Sequence, residues 1–337
     1  MIRRGGLIVK NLLVLKNKIL QTKYLPIFIT VILFLGLCAF GTFKYNGFFR
    51  LQTFLNLLID NAFLLITAIG VTFVLITGGI DISVGAVIAF VCMLSADLLE
   101  NSGWNPWIVI LFMLLIGCIF GTLMGILVTK FKIQPFIATL AGMFLARGLC
   151  YLVSIDTITI TNETYSKISQ ARIKIGDGFI SWGVVIALVV LALAIYILQY
   201  TKFGRTVYAI GGNEQSARLM GLHVDRTKIL VYTLSGFCSA LAGVVFSFYM
   251  LSGYGQHTVG LEMDAIASAV IGGIMLTGGV GYVFGTLLGV LTQGVIQTII
   301  IFEGTLSSWW TKIVVAALLC VFIILQRVFI IIKAKRS

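Results

Sequence analysis

The chain has 337 residues, of which 59% are hydrophobic and 11% are charged, and its formal net charge is +12. Soluble proteins are about a quarter charged, so this composition excludes a soluble domain and predicts an all-α polytopic membrane protein. The basic residues gather at the ends of apolar runs, as membrane topology requires. The positive charge therefore does not indicate a nucleic-acid partner.

The chain begins with a basic segment, residues 1–24, which is predicted to lie in the cytoplasm ahead of the first apolar run, Leu25–Phe43. Ala39-Phe40-Gly41 could serve as the cleavage site of a signal peptide. The basic region is long for a signal peptide and no soluble stretch follows it. An uncleaved first span is therefore favoured.

Apolar segments follow one another to the end of the chain and predict about ten transmembrane helices. Most approach the roughly twenty residues that a spanning helix needs. The eighth is short and glycine-rich, so it could be re-entrant or tilted. The segments are Leu25–Phe43, Thr53–Thr77, Val84–Leu99, Trp107–Thr129, Phe136–Val153, Ile180–Tyr200, Ile229–Met250, Ala265–Thr277, Val283–Phe302 and Trp309–Gln326.

The distribution of charge predicts that both termini are cytoplasmic. Cytoplasmic loops carry an excess of Lys and Arg, and the predicted outer loops hold only five of the 24 such residues. The chain is thus predicted to form one transmembrane domain, residues 25–327, with a basic cytoplasmic C-terminus, 328–337. Its main loops are a periplasmic loop, 154–179, and a cytoplasmic loop, 201–228.

A short helix is predicted inside the cytoplasmic loop. Such a helix suits docking into a groove of a partner, although an ordinary positively charged loop is the alternative. The signals, in order, are a chain break at Gly211 and Gly212, an N-cap at Asn213, an acid in the first turn at Glu214, a shared face of Ala217 and Met220, and a left-handed end at Gly221.

Two internal echoes suggest a repeat. Thr77-Gly78-Gly79-Ile80 recurs as Thr277-Gly278-Gly279-Val280, and the segment 120–127 recurs as 284–291. The offsets differ, so both cannot mark one repeat. The second echo joins spans of opposite direction, as in the inverted repeats of transporters, and is favoured over the first. Chance similarity in a glycine- and leucine-rich chain is the alternative.

Glycines recur every four residues in two places and predict smooth helix faces for close packing. A substrate path along these faces is the alternative. The two sets are Gly117, Gly121 and Gly125, and Gly281, Gly285 and Gly289.

No catalytic residue, metal site or cofactor is predicted. The chain has neither a phosphate-binding loop of the G-x-x-x-x-G-K-[ST] type nor an H-E-x-x-H motif. Its six cysteines lie in apolar runs without metal-binding spacing. ATP hydrolysis is therefore expected in a separate subunit, if it is used at all.

Asp60, Asp81 and Asp264 lie in or beside apolar runs. A carboxylate at mid-bilayer costs about 2.5–3.5 kcal/mol, so each should face protein or water. With Asn61 and Ser83 they are candidates for a polar solute pathway. The alternative is that the carboxylates are solvated at the interface or cap helices.

Several motifs carry a resemblance to a known family. The segment from Gly78 to Gly85, GGIDISVG, resembles the signature of sugar ABC-importer permeases of the ribose/xylose/galactose type. Phe203-Gly204-Arg205 and the segment 209–213 resemble the cytoplasmic motif of these permeases. DNAF at 60–63, DAIAS at 264–268 and GTLSSWWTK at 304–312 are similar to galactofuranose ABC transporter permeases. The likeness covers about Asn56 to Gln326, with Thr77 where the family often has Ser.

The resemblance implies the fold of a type II (cobalamin importer-like) permease in the bacterial inner membrane. It implies a second permease, either a copy or a paralogue, together with cytoplasmic ATPase subunits, a periplasmic sugar-binding protein and surrounding lipid. Asn213–Gly221 would be the coupling helix, assisted by Arg205. The rival classes are an ion-coupled secondary transporter, for which Asp60, Asp81 and Arg147 would be the charged groups, and a membrane scaffold.

Overall fold

A computed structural model describes residues 25–307 and 309–334 of the chain, with side chains for 27–307 and 309–325. The predicted N-terminal segment, 1–24, lies outside the described residues. The helices are α1 Leu25–Lys44, α2 Leu51–Asp60, α3 Ala62–Ile76, α4 Val84–Glu100, α5 Pro106–Thr129, α6 Pro135–Val153, α7 Glu163–Gln170, α8 Trp182–Tyr200, α9 Lys202–Gly212, α10 Glu214–Leu219, α11 Val224–Met250, α12 Leu261–Ile271, α13 Val283–Glu303 and α14 Trp309–Ala334.

Six described helices are long and apolar enough to cross a membrane, and the α2–α3 pair, bent by 53°, raises the number to seven. The prediction of a helical polytopic membrane protein is therefore confirmed. The predicted number of ten is not reached by helices of this length. Three predicted spans fall short of this length: α4 has 17 residues and α12 has 11, and both adjoin glycine-rich breaks, while α14 is counted only over Trp309–Leu325. At the C-terminal end, α14 continues past the predicted boundary at residue 327.

Helix α11 is the central helix of the fold and packs against α3, α4 and α5. Nearly every residue of α3 is buried, which is typical of a helix surrounded by other helices. Gly117 and Gly121 of α5 lie against Gly236 of α11, and a Cβ on Gly125 would stand 2.8 Å from the Cα of Ile229. The first glycine set thus brings two backbones together without intervening side chains.

The second glycine set is split between a turn and a helix. Gly281 precedes α13 and has φ +139°, so the prediction that it shares one helix face with Gly285 and Gly289 is wrong. The other two glycines belong to α13 and approach α12, Gly285 at Gly272 and Gly289 at Ser268. The regular spacing did not reveal where the helix begins.

The structure favours the first internal echo. The Thr-Gly-Gly sequences at 77–79 and 277–279 each lie in a break just before a helix begins, at Val84 and at Val283. The second echo places 120–127 well inside α5 but 284–291 at the start of α13. The preference for the second echo was therefore wrong, because its two copies occupy different positions in their helices.

The polar segment 154–179 is more ordered than the sequence predicts. Strand β1 (Ile158–Thr159) pairs antiparallel with β4 (Ser252–Gly253), and β2 (Arg172–Ile175) pairs with β3 (Gly178–Ser181) in a hairpin. Between them, α7 is held on α11 by a 2.6 Å hydrogen bond between the hydroxyls of Tyr165 and Ser247. The end of the bundle that carries these strands is called the hairpin end, and the opposite end, with α9 and α10, the α10 end.

The α5–α11 contact can be tested with Gly121→Leu. A side chain at Gly121 would overlap the carbonyl oxygen of Tyr232, so the helices must separate. Overpacking costs about 1–3 kcal/mol, which corresponds to a fall of roughly 5 °C in Tm for the detergent-purified protein. Gly148→Leu on α6 is the control, because a Cβ there meets nothing within 4 Å. Equal Tm values for the two variants would show that this contact is not tight.

Candidate functional site

A cavity of about 330 Å³, with both polar and apolar lining residues, lies at the bend between α2 and α3. Its walls come from these helices and from α12, α13 and α14. The cavity is thus assembled from segments that are far apart in the chain. Its polar lining residues are Asp60, Asn61, Asp264, Gln293, Gln297, Thr311 and Lys312.

Asn61 holds the bend at which the cavity forms. It is the one residue between α2 and α3, and its side-chain amide donates to the carbonyl oxygen of Leu57 at 2.9 Å. A Cβ on Gly294 of α13 would stand 2.7 Å from this amide nitrogen, so α13 approaches closely only because that position is glycine. The bend therefore turns the end of α2, with Asp60, toward the cavity.

The charge of Asp264 is balanced inside the cavity. Lys312 of α14 forms an ion pair with its carboxylate, and the amide of Gln293 donates to the backbone carbonyl of Asp264 at 3.1 Å. Gln297 lies one helical turn from Gln293 and is exposed. The wall thus combines a paired carboxylate with amide groups that both donate and accept hydrogen bonds. Such a surface suits an uncharged solute with many hydroxyl groups.

The five predicted pathway residues do not form one group. Asp60, Asn61 and Asp264 line the cavity, but Asp81 is 2% exposed and lies elsewhere, in the break after α3. Its carboxylate accepts hydrogen bonds from the Ser83 hydroxyl at 2.7 Å and from the Ser235 hydroxyl of α11 at 2.7 Å. Asp81 and Ser83 thus lie outside this cavity, and local donors and α11 occupy both oxygens of Asp81.

A second cavity, of about 290 Å³, shares Asp60 with the first. Asn56, Ser169, Arg172 and Tyr249 also line it, so it opens beside α7 and the β2–β3 hairpin. The Tyr249 hydroxyl donates to the Asp60 carboxylate at 3.3 Å. Asp60 therefore borders both cavities at the hairpin end.

Sequence reasoning missed Gln293, Gln297 and Lys312. The two glutamines are four apart in an otherwise apolar span, so they share a helix face, and this spacing was a usable signal. Lys312 was recognised only as the last residue of the motif at 304–312. Its partner lies 48 residues earlier in the chain, and nothing in the local sequence indicates that pairing.

At the α10 end, the predicted short helix is present as α10, Glu214–Leu219. The side chain of Asn213 caps it by accepting from the Ser216 N–H at 2.8 Å, and Gly221 has φ +78°. The cap and the left-handed end are thereby confirmed. The predicted break at Gly211 and Gly212 was wrong, because both belong to α9, an unpredicted helix that also carries the exposed Arg205.

The predicted docking face of Ala217 and Met220 is wrong. Ala217 is fully buried inside the protein, in a cluster with Ile210 and Val224. Met220 is 68% exposed and Leu219 is 84% exposed. The physical reason is that the small side chain of Ala217 packs against α9 and α11 of the same protein. The apolar side chains of α10 that a partner could contact are Leu219 and Met220.

Ion pairs tie α10 to the start of α11. Arg218 bonds the carboxylates of Glu214 and Asp225, and Lys228 also bonds Glu214. Partial burial raises the pKa of Glu214, but the hydrogen bonds from Lys228 and Arg218 outweigh this effect and hold that pKa below its ordinary value. Glu214 therefore remains ionised at neutral pH, and the charge network holds α10 in place.

Residues 53–323 match a family model described as the branched-chain amino acid transport system / permease component. The chain belongs to this permease family. It is 48% identical over 304 residues to the inner membrane ABC transporter permease protein YjfF of Escherichia coli, covering 90% of this chain and 92% of the relative. The predicted resemblance to permeases of the ribose/xylose/galactose type is confirmed.

Two further relatives are named for the sugars they import. The fructose import permease protein FruG of Bifidobacterium longum is 40% identical over 316 residues, 91% of this chain and 92% of the relative. The ribose import permease protein RbsC of Haemophilus influenzae is 39% identical over 251 residues, 73% and 76% of the two chains. No solved structure gives a significant match. With its membrane-spanning helices, this permease is a multi-pass protein of the bacterial inner membrane.

The interaction between Asp264 and Lys312 should be measurable in a double-mutant cycle. Lys312→Met leaves a carboxylate that is only 20% exposed without its partner, and Asp264→Asn leaves Lys312 unpaired. Each single variant should lower the Tm of the permease. The double variant should be more stable than the sum of the losses predicts, by about 0.5–3 kcal/mol. Strictly additive losses would contradict this pairing.

Proposed function

We propose that this permease forms the membrane pathway of an ABC importer for a neutral monosaccharide. The observation that carries the proposal is the cavity at the α2–α3 bend, where amide side chains stand beside a carboxylate paired with Lys312. Sugar hydroxyls both donate and accept hydrogen bonds, as these groups require. A volume of about 330 Å³ falls in the range of small-ligand pockets, roughly 300–1,000 Å³.

The sugars in the names of the relatives narrow the class of substrate proposed for this chain. FruG is named for fructose and RbsC for ribose, and the sequence motifs resemble permeases for galactofuranose. All three are monosaccharides without a charged group, so a pathway for them needs no unpaired counter-charge. Galactofuranose is the proposed substrate of this chain, with ribose and fructose as the competitors in any test.

The proposed orientation places the α10 end in the cytoplasm and the hairpin end in the periplasm, with both chain termini inside. The excess of basic residues in the loops of the α10 end supports it. In this orientation the cavities bordered by Asp60 face the periplasm, where a sugar-binding protein would deliver the sugar. The transmembrane domain, 25–327, would pair with a second permease, either a copy or a paralogue.

The proposed role of α10 is to dock on a cytoplasmic ATPase subunit, which supplies the energy that this chain does not generate. The exposed Leu219 and Met220 are the contact residues of this proposal. Large side chains at the centre of an interface contribute most of its binding energy. Arg205, Gly211, Gly212, Asn213 and Gly221 would then serve the same region by shaping and supporting α9 and α10.

The cavity is tested with Gln297→Leu, which removes the polar group of an exposed side chain without disturbing a buried one. Loss of a hydrogen bond to a neutral group costs about 0.5–1.5 kcal/mol, up to roughly a tenfold loss in affinity. Uptake of labelled galactofuranose, ribose and fructose by cells carrying the importer is expected to fall by that factor at limiting sugar. Gln199→Leu, exposed on α8 near the α10 end, is the control and should transport normally. Equal uptake by both variants would exclude Gln297 from the pathway.

Docking is tested by co-purifying the ATPase with the permease. Leu219→Glu places a charge in the proposed contact and should reduce recovery of the ATPase at least tenfold, because an unpaired charge is costly in a desolvated interface. Gln215→Glu adds the same charge to an exposed position of α10 and should retain the ATPase. Ala217→Arg should instead lower the amount of folded permease, because its site is fully buried. Full recovery with Leu219→Glu would place the docking surface elsewhere.

A further inference from the structure

The two Thr-Gly-Gly turns of the sequence echo meet in the folded protein. The Gly279 N–H donates to the carbonyl oxygen of Ile76 at 2.8 Å. Gly78 has φ +79° and Gly278 has φ +84°, which is a left-handed conformation that glycine adopts at little cost. A Cβ on Gly278 would stand 2.8 Å from the Gly78 nitrogen. The break after α3 and the break after α12 are therefore in direct backbone contact.

Helix α9 packs closely against this contact. Gly211 lies so close that a methyl group there would overlap both the Ile76 carbonyl oxygen and the Gly279 nitrogen. The Tyr208 hydroxyl, one turn earlier in α9, donates to the carbonyl oxygen of Gly281 at 2.7 Å. The resulting cluster is called the glycine junction and consists of Ile76, Gly78, Gly211, Gly278, Gly279 and Gly281.

The link from α10 to the junction is short and stiff. Only Asn213 separates α10 from α9. Its backbone N–H donates to Ala209 at 3.1 Å, and its side chain caps α10. Since Asn213 is bonded on both sides, a displacement of α10 is passed to α9 rather than absorbed in a loose loop. From α9 it reaches the two turns through Gly211 and Tyr208.

The junction is also connected to the cavity. Helices α3 and α12 pack on each other and both lead to the junction. Near their other ends they carry Asn61, the residue before α3, and Asp264, in the first turn of α12. Because helices move as stiff rods, a shift of either turn would move a wall of the cavity.

We propose that the glycine junction is the gate at the α10 end of the sugar pathway and that α9 operates it, with Tyr208 and Gly211 as positioning residues. The inference rests on the proposed function. Two backbones that meet through glycines expose little apolar side-chain surface when they part. They can therefore separate and re-form while the glycine-lined α5–α11 contact holds the rest of the bundle together.

Static packing makes a different prediction. If the junction only supports the fold, weakening it lowers Tm, assembly and activity together. If the junction is a gate, weakening it lowers the sugar transported for each ATP hydrolysed, while the complex still assembles and still hydrolyses ATP. The ratio of uptake to hydrolysis therefore separates the two.

The experiment uses the full complex of permease, ATPase and binding protein in proteoliposomes, with labelled galactofuranose, ribose and fructose as probes. Tyr208→Phe removes only the hydroxyl that bonds Gly281, and Gly211→Ala places a methyl group in the junction. Both should lower uptake per ATP at least fivefold. Gly148→Ala on α6 is the control, since a Cβ there meets nothing within 4 Å and α6 is outside the junction. It should behave as the wild type does.

An unchanged uptake-to-hydrolysis ratio in Tyr208→Phe would overturn the gate, even if Gly211→Ala fails to assemble. A fall in Tm and activity with an unchanged ratio would assign the junction to static packing and overturn the gate as well. A wild-type complex that hydrolyses ATP but takes up none of these sugars would overturn the proposed function, and the inference with it.

Discussion

A chain in hydrocarbon must satisfy its backbone hydrogen bonds within the protein, and the described fold depends on how it does so at its helix breaks. After α3, the N–H groups of Gly78 and Gly79 turn back to carbonyls of α3, and the Ser83 N–H donates to the Asp81 carboxylate. After α12, the Met275 N–H donates to Val280, and the Gly279 N–H crosses to Ile76. Several backbone donors in both breaks therefore have partners within the protein.

Close approach of helices makes such breaks possible. The glycines of α5 allow α11 to lie against it, and α11 in turn supplies Ser235 to the Asp81 carboxylate. Arg147 also bonds irregular backbone. It donates to the carbonyls of Gly255 and His257 in the segment that leads to α12. Charged groups within the bundle are thus used to hold irregular backbone, which is where their cost in an apolar setting is best offset.

The cavity at the α2–α3 bend and the proposed contact surface on α10 lie near opposite ends of the described fold and are joined by α3, α12 and α9. At one end of the described fold, carboxylate and amide side chains line the cavity, and at the other end Leu219 and Met220 are exposed on a short, capped helix. This division supports the proposed function, in which the permease takes its solute on one side and receives energy on the other.

The sequence by itself determined what depends on neighbouring residues. Apolar runs located most of the helices, Asn213 and Gly221 marked the ends of α10, and the motifs from Gly78 to Gly85 indicated the permease family. These features follow from helix geometry, capping and local backbone preference, which act within a few residues. Only the tertiary structure decided that Ala217 is buried, that Asp81 is separate from Asp60, that Lys312 pairs with Asp264, and that the two Thr-Gly-Gly turns meet. The burial of Ala217 depends on how α10 folds against the helices on either side of it, and the other three depend on which distant segment packs against a residue. No local pattern in the chain encodes these choices.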